Sequence, residues 1–470
     1  MNKDFFKVTW LTLLIVITVI AIAWFVPGCK TQFVNIKQLK WFDWLSDKPD
    51  STGNAALEKA LKEAEGYTSK VSPLEPVLKK LNALPNSTGT VRIAYFGDSI
   101  IEGDLITQQL RSNLQTRFGG SGVGFVPITS VVANFRKTIR HSFAKNWETM
   151  SFMTPYKADY PLGLGGFVYV PRNFYTVQKA IEVSSDSLSQ VDSMATFSPK
   201  APKQETQRYY VNTPPWVKYQ NANVNGGAKQ FDRIRMFYSH AKPGSTIQVG
   251  FDDKPSQSFS LAAGDGVQTL DLSRGIPIKS LYLEFSISNP VHVYGVSFDQ
   301  ATGVYVDNFS IRGYSGMYFQ RIPKLILEQF RSQLKYDLIV LQYGENVSNP
   351  KATSYTFYRT GMIKTIKYLQ AAFPNVPILL VSAHDRSIKN AERYQTSPDI
   401  PILIKAQAQI ADSTGCAFWN LYEAMGGKDS MQKYVKNVPP LAAKDYTHFN
   451  NAGANKIADM LTDFLLRKVK

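Results

Sequence analysis

The chain has 470 residues, 44% of them hydrophobic and 19% charged, which is too long for one ordinary domain and too apolar for wholesale disorder. Lys and Arg number 53 against 37 Asp and Glu, but this net +16 is spread along the chain, without the clustered stripe that nucleic acid requires. A diffuse positive field suits anionic envelope polymers or lipid headgroups, and equally an ordinary basic surface.

Val8 to Val26 is apolar except for Thr9, Thr12 and Thr18, carries no charge and stops at Pro27-Gly28. Its length suffices to cross a bilayer as a helix, with Lys3 and Lys7 before it and Trp10 and Trp24 at interfacial depth. Two readings follow: an uncleaved anchor, or a lipoprotein signal with Cys29 lipidated after cleavage. Pro27 departs from the usual lipobox residue and the run is long for a cleaved signal, which favours the anchor. Residues 1–30 are therefore read as the anchor or signal segment, a transmembrane helix in the first case. Residues 31–88 are a juxtamembrane linker with helical spacing in Ala55 to Ser69 and Leu74 to Leu84. The rest of the chain is expected in the periplasm or outside the cell.

Val91 to Phe96 reads as a strand ending in Gly97, and Ile101 to Phe118 as a helix. Ser99 thus sits at a strand-to-helix turn, where backbone N–H groups are unpaired. From about Tyr209 to Val306, short alternating runs such as Ser245–Phe251, Ser280–Phe285 and Val291–Val296 suggest a β-sandwich. His141 to Arg208 is rich in turns and aromatics and reads as the rim of that insert. After Asp307 an alternating pattern follows. Its helices are Ile322–Leu334, Thr353–Phe373, Ile402–Ser413 and Ala452–Leu466; its strands are Asp337–Leu341, Val376–Val381 and Cys416–Leu421. This predicts an α/β fold, a three-layer parallel sheet with helices on both faces. The expected parts are 89–140 and 307–470 for the catalytic domain and 141–306 for the inserted β-rich domain.

Only Cys29 and Cys416 occur, which excludes a disulfide framework and a thiolate zinc site. Cys416 reads as a small buried residue. His141, His240, His292, His384 and His448 form no pair at metal-ligand spacing, and neither metal nor cofactor is expected. What stands out is Gly97-Asp98-Ser99, Gly344-Glu345-Asn346 and Asp445-Tyr446-Thr447-His448. They offer a hydroxyl nucleophile, an amide, and an imidazole with a carboxylate to orient it, which is the inventory of acyl transfer.

In these motifs, in this order and at these structural positions, the chain resembles the SGNH (GDSL-type) hydrolases. The glycine run Gly119–Gly124 and the β-rich insert resemble the peptidoglycan O-acetylesterase branch, whose insert is similar to a carbohydrate-binding sandwich. The resemblance implies Ser99 as nucleophile, His448 as base and Asp445 as its orienting carboxylate. It also implies an oxyanion hole from the Ser99 N–H, the Asn346 side chain and a glycine N–H, with Gly316 preferred over Gly313. Glu345 falls where many members have a small or polar residue and is expected to point outward; His384 is read as structural or as part of the substrate rim. The expected activity is a serine esterase removing O-acetyl groups from an envelope glycan, peptidoglycan foremost. Two alternatives stand beside it: an O-acetyltransferase fed by a membrane acetyl-transfer partner, and a non-catalytic glycan-binding protein. The partners expected are thus an O-acetylated glycan and the membrane, not nucleic acid.

Overall fold

The computed structural model describes residues Tyr67, Ser69, 71–180 and 204–466, all within one compact unit, Lys59–Lys470. The span Val8–Val26, Cys29 and most of the 31–88 linker lie outside the described residues. Among the described residues, no helix is long and apolar enough to cross a membrane.

Five strands form an all-parallel sheet in the order Gly303–Ser310, Thr90–Gly97, Leu338–Gln342, Ile378–Val381, Ala417–Trp419. Most of their residues are β-branched or apolar, and the strands are buried along almost their whole length, as a sheet covered on both faces requires. One face, through Val91, Ile93, Tyr95, Val306 and Val340, packs against helices Glu75–Ala83, Thr107–Phe118 and Asn451–Leu466. Helices Lys324–Leu334, Thr356–Ala372 and Ile400–Thr414 supply the crossovers between the remaining strands. The α/β expectation holds, with element ends shifted by a few residues.

The largest shift is at Ile101–Phe118. A short 3-10 turn covers Ser99–Asp104, Gly103 and Ile106 take positive φ (68° and 63°), and the regular helix starts only at Thr107. Apolar spacing alone does not register such a break, because Ile101, Leu105 and Ile106 are drawn into the core by the loop itself.

The insert is a sandwich of two antiparallel sheets. Val217, Tyr219, Val249 and Leu283 from one meet Met236, Tyr238, Val293 and Val296 from the other in a shared core. Its extent corrects the expected boundaries. Gly124–Val126 already pairs with His292–Asp299 in the sandwich, ahead of residue 141. Gly303–Ser310 belongs wholly to the parallel sheet. The segment after His141 is not a rim: Trp147–Ser151 and Phe167–Pro171 are two strands of one sandwich sheet.

A buried ion network joins the two parts. The Arg92 guanidinium, on the first parallel strand, donates to Asp307 (Nε–Oδ2 2.7 Å), to Asp299 (3.0 Å) and to the Ser297 hydroxyl (2.8 Å). Asp307 Oδ1 also accepts the Phe125 N–H at 2.8 Å. Gly124 permits this approach: its φ is +69°, and a Cβ there would lie 2.0 Å from Asp307 Oδ1.

Candidate active site

Every motif residue stands at the C-terminal edge of the parallel sheet or in a loop over it. Gly97 lies level with Ser310 on one side and Gln342 on the other, so the segments after these three strands converge beyond Thr90–Gly97. Strand order reverses there, the place where open α/β sheets form a crevice.

Ser99 is half-buried, and its Oγ lies 3.1 Å from His448 Nε2 across 349 residues of sequence. His448 Nδ1 lies 2.7 Å from Asp445 Oδ2. The other carboxylate oxygen accepts the N–H groups of Thr447 and His448, each at 3.0 Å, so Asp445 folds its own loop and aims the ring at once. These bonds hold the Asp445 carboxyl below the ordinary carboxylate range although burial opposes its charge, so it stays ionised beside the imidazole. Hydroxyl, imidazole and carboxylate form one hydrogen-bonded chain, in which Nδ1–H is donated to Asp445 and Nε2 faces the serine. The arrangement can take a proton from Ser99 and return it to a leaving group. Its outer end is open to solvent, with the His448 and Asp445 side chains 44% and 51% exposed.

Of the expected oxyanion donors, Asn346 is tied to the turn that carries Ser99. The Asn346 amide donates to Asp98 Oδ2 at 2.8 Å and, at 3.3 Å, to the carbonyl of Tyr314, so the Gly-x-Asn loop is fixed directly to the Gly-Asp-Ser turn. Among the described residues the N–H groups of Ser99 and Gly316 donate to no protein acceptor. Gly316 is buried, and an unengaged buried N–H is rare enough to point to a ligand. Gly316 has φ +85° and lies against the Tyr343 ring, where a Cβ would come within 2.6 Å. Gly313 is exposed and has room for one, 3.5 Å from Met153 Cε.

Behind these groups lies a layer that the sequence reading missed. Asp98 is 1% exposed; its Oδ1 accepts the Ile100 N–H and its Oδ2 the Asn346 amide. Burial, reinforced by the nearby Glu345 charge, pushes its carboxyl up to about 7. Glu345 does not point outward as expected. Its side chain is 8% exposed and turns in to His384, with Oε1 3.0 Å from Nδ1. The buried His384 imidazole gives that carboxylate a partner that one chain position could not reveal. His384 Nε2 in turn meets the carbonyl of Thr447 at 2.8 Å. The structural reading of His384 is therefore the right one: it supports the histidine loop from below. Cys416 is buried, 3% exposed, as expected.

No family profile matches the chain, and no curated protein matches it. Among solved structures, a peptidoglycan O-acetylesterase superposes with a TM-score of 0.63 at 21% identity, over 84% of this chain and 96% of that one. The chain has the fold of that enzyme. It is an SGNH-type α/β fold with an inserted sandwich, and the alignment spans both parts. An acetyl xylan esterase (TM-score 0.26, 20% identity, 34% of this chain and 79% of that one) superposes poorly. So does a family two carbohydrate esterase from Cellvibrio japonicus (0.24, 10%, 70% and 98%). Neither bears on the assignment.

Proposed function

We propose that the chain is an SGNH/GDSL-type serine esterase that removes O-acetyl groups from a cell-envelope glycan, peptidoglycan foremost. The observation that carries this reading is the continuous chain from Ser99 through His448 to Asp445, closed at hydrogen-bond distance, beside two unengaged N–H groups. The shared fold with a peptidoglycan O-acetylesterase supports the substrate class.

In this mechanism Ser99 Oγ attacks the acetyl carbonyl carbon while His448 Nε2 takes its proton. The tetrahedral oxygen is held by the N–H groups of Ser99 and Gly316 and by the Asn346 amide, which gives up its long bond to Tyr314. Collapse breaks the C–O bond to the sugar, and His448 returns the proton to the leaving hydroxyl. Water, deprotonated by the same ring, then releases acetate from the acyl-serine. The apolar run Val8–Val26 supports a membrane-tethered enzyme with its catalytic domain on the outer side of that membrane.

The test is acetate release by the purified full-length chain from an activated acetyl ester and from O-acetylated glycan, with Ser99→Ala alongside. Release that disappears in the variant is expected. Equal release by both proteins, or preferential acetylation of added glycan over release of acetate, overturns the assignment.

A further inference from the structure

Gly316 is the oxyanion donor least able to aim itself. It has φ +85° and no side chain, so nothing in the residue restrains the direction of its N–H. A hole that stabilises a developing charge must hold its donors still before that charge arrives. The restraint has to come from the neighbours of Gly316.

Those neighbours are Tyr314 and Tyr318. The Tyr314 hydroxyl accepts the Tyr318 N–H at 2.9 Å, so side chain and main chain close a loop with Gly316 at its middle. The Tyr314 carbonyl accepts the Asn346 amide at 3.3 Å, and that amide also reaches Asp98, one residue before Ser99. Tyr314 is buried and held on two sides. Tyr343 meets it edge-on at 5.8 Å. On the other side Phe152 lies flat against it, with ring centroids 4.5 Å and planes 9° apart.

Phe152 belongs to the inserted sandwich. It follows the strand Trp147–Ser151 and opens a turn locked by its own bonds. The Thr154 N–H donates to the Ser151 carbonyl (3.1 Å), and the Ser151 N–H donates to the Thr154 hydroxyl (2.9 Å). Arg321, five residues past Gly316, grips this turn. Its guanidinium donates to the carbonyl of Phe152 and, at 2.7 Å, to that of Thr154, and among the described residues it pairs with no acid. A planar donor fork spent on main-chain carbonyls fixes geometry and neutralises nothing. The Phe152 ring also meets Phe319 at 5.4 Å, and Phe319 meets Phe96 edge-on at 5.3 Å, so the aromatic contacts continue to the strand that leads into the Gly-Asp-Ser turn.

We propose that Phe152 and Tyr314 are positioning residues of the deacetylation: the sandwich, through the Phe152 ring and the Arg321 grip, holds Tyr314 and so aims the Gly316 N–H. The insert then takes part in stabilising the transition state without touching the reacting atoms. The inference rests on the esterase reading, which makes Gly316 an oxyanion donor.

The test uses the full-length chain with Phe152→Leu, which keeps apolar bulk and removes the flat stack, and Tyr314→Phe, which removes only the acceptor for Tyr318. The readouts are kcat and KM on an activated acetyl ester and the calorimetric affinity for methylboronic acid. The boron of that probe bonds to Ser99 Oγ, the serine proton passes to His448, and the tetrahedral anion places an oxygen where the oxyanion forms. Each variant is expected to lose about tenfold in kcat with KM within about twofold of wild type, and to bind the boronate about tenfold more weakly. A merely structural role would lower the urea midpoint and leave kcat and boronate affinity alone. Wild-type kcat and boronate affinity in either folded variant overturn the inference and leave the esterase reading intact, and so does a rise in KM alone. If Phe152→Leu does not fold, Arg321→Lys, which keeps the charge and the ring stack but has no planar fork for two carbonyls, decides by the same criteria. A wild type that hydrolyses no ester and binds no boronate overturns the esterase reading and this inference with it.

Discussion

His384 and Glu345 form a buried ion pair directly beneath the triad loop, with Nδ1 3.0 Å from Oε1 and the two side chains 1% and 8% exposed. The other ring nitrogen faces the Thr447 carbonyl, so both nitrogens meet acceptors and the ring must carry two protons. Burial opposes that charge, but the Glu345 carboxylate and the carbonyl outweigh it and raise the His384 pKa above the ordinary imidazole value. The pair thus ties the Gly-x-Asn loop to the residue preceding His448.

Glu345→Gln keeps the shape and removes the counter-charge, leaving a buried cation unpaired. The expected loss is ~3 kcal/mol of stability, the scale for breaking a buried pair. Because the folded pKa of His384 is raised, its contribution is fully present below about pH 6.5. It is lost as pH rises through the folded value. Urea midpoints should therefore differ most between wild type and variant at pH 5.5 and least at pH 9. A gap that widens toward pH 9 would sink this account. Loosening of Thr447 should also lower kcat by on the order of tenfold, since His448 is positioned by the next peptide.

Asp98 contributes in the opposite sense. With a carboxyl pushed up to about 7, it holds its proton in the fold at pH values where the unfolded chain has already released it. Its ionisation costs nothing below the ordinary value near pH 4 and costs progressively more up to about pH 7. Asp98→Asn removes that cost. The melting temperature of the variant relative to wild type is expected to rise between pH 5 and pH 8. Its acetate release should fall, because Asn346 loses the carboxylate that fixes its amide. Parallel melting curves across that pH range would show that Asp98 does not titrate there.

Arg92 tests the seam between sheet and sandwich. Arg92→Met is expected to cost ~3–5 kcal/mol, since it strands Asp307 and half of the Asp299 pairing in the interior. The readout is the urea midpoint at neutral pH. A loss below ~1 kcal/mol would mean that Arg235 and Tyr336, which also reach these carboxylates, suffice to compensate them.

The sequence alone determined the alternation of strands and helices, because strands buried on both faces must be continuously apolar and the crossover helices must repeat every three to four residues. It also determined which short segments could hold Ser99, Asn346, Asp445 and His448, since a nucleophile, a base and its carboxylate need particular side chains at turns. What it could not determine were relationships with no local signature. Arg92, Asp299 and Asp307 read as scattered charges until the fold buries them together. Glu345 reads as a solvent-facing acid until the chain returns with His384. Gly316 is only a preference over Gly313 in the sequence, and it is the fold that buries Gly316 against Tyr343 and leaves Gly313 exposed. Burial and long-range pairing are properties of the assembled chain, and they alone decide which charges are compensated and which N–H groups stay unengaged.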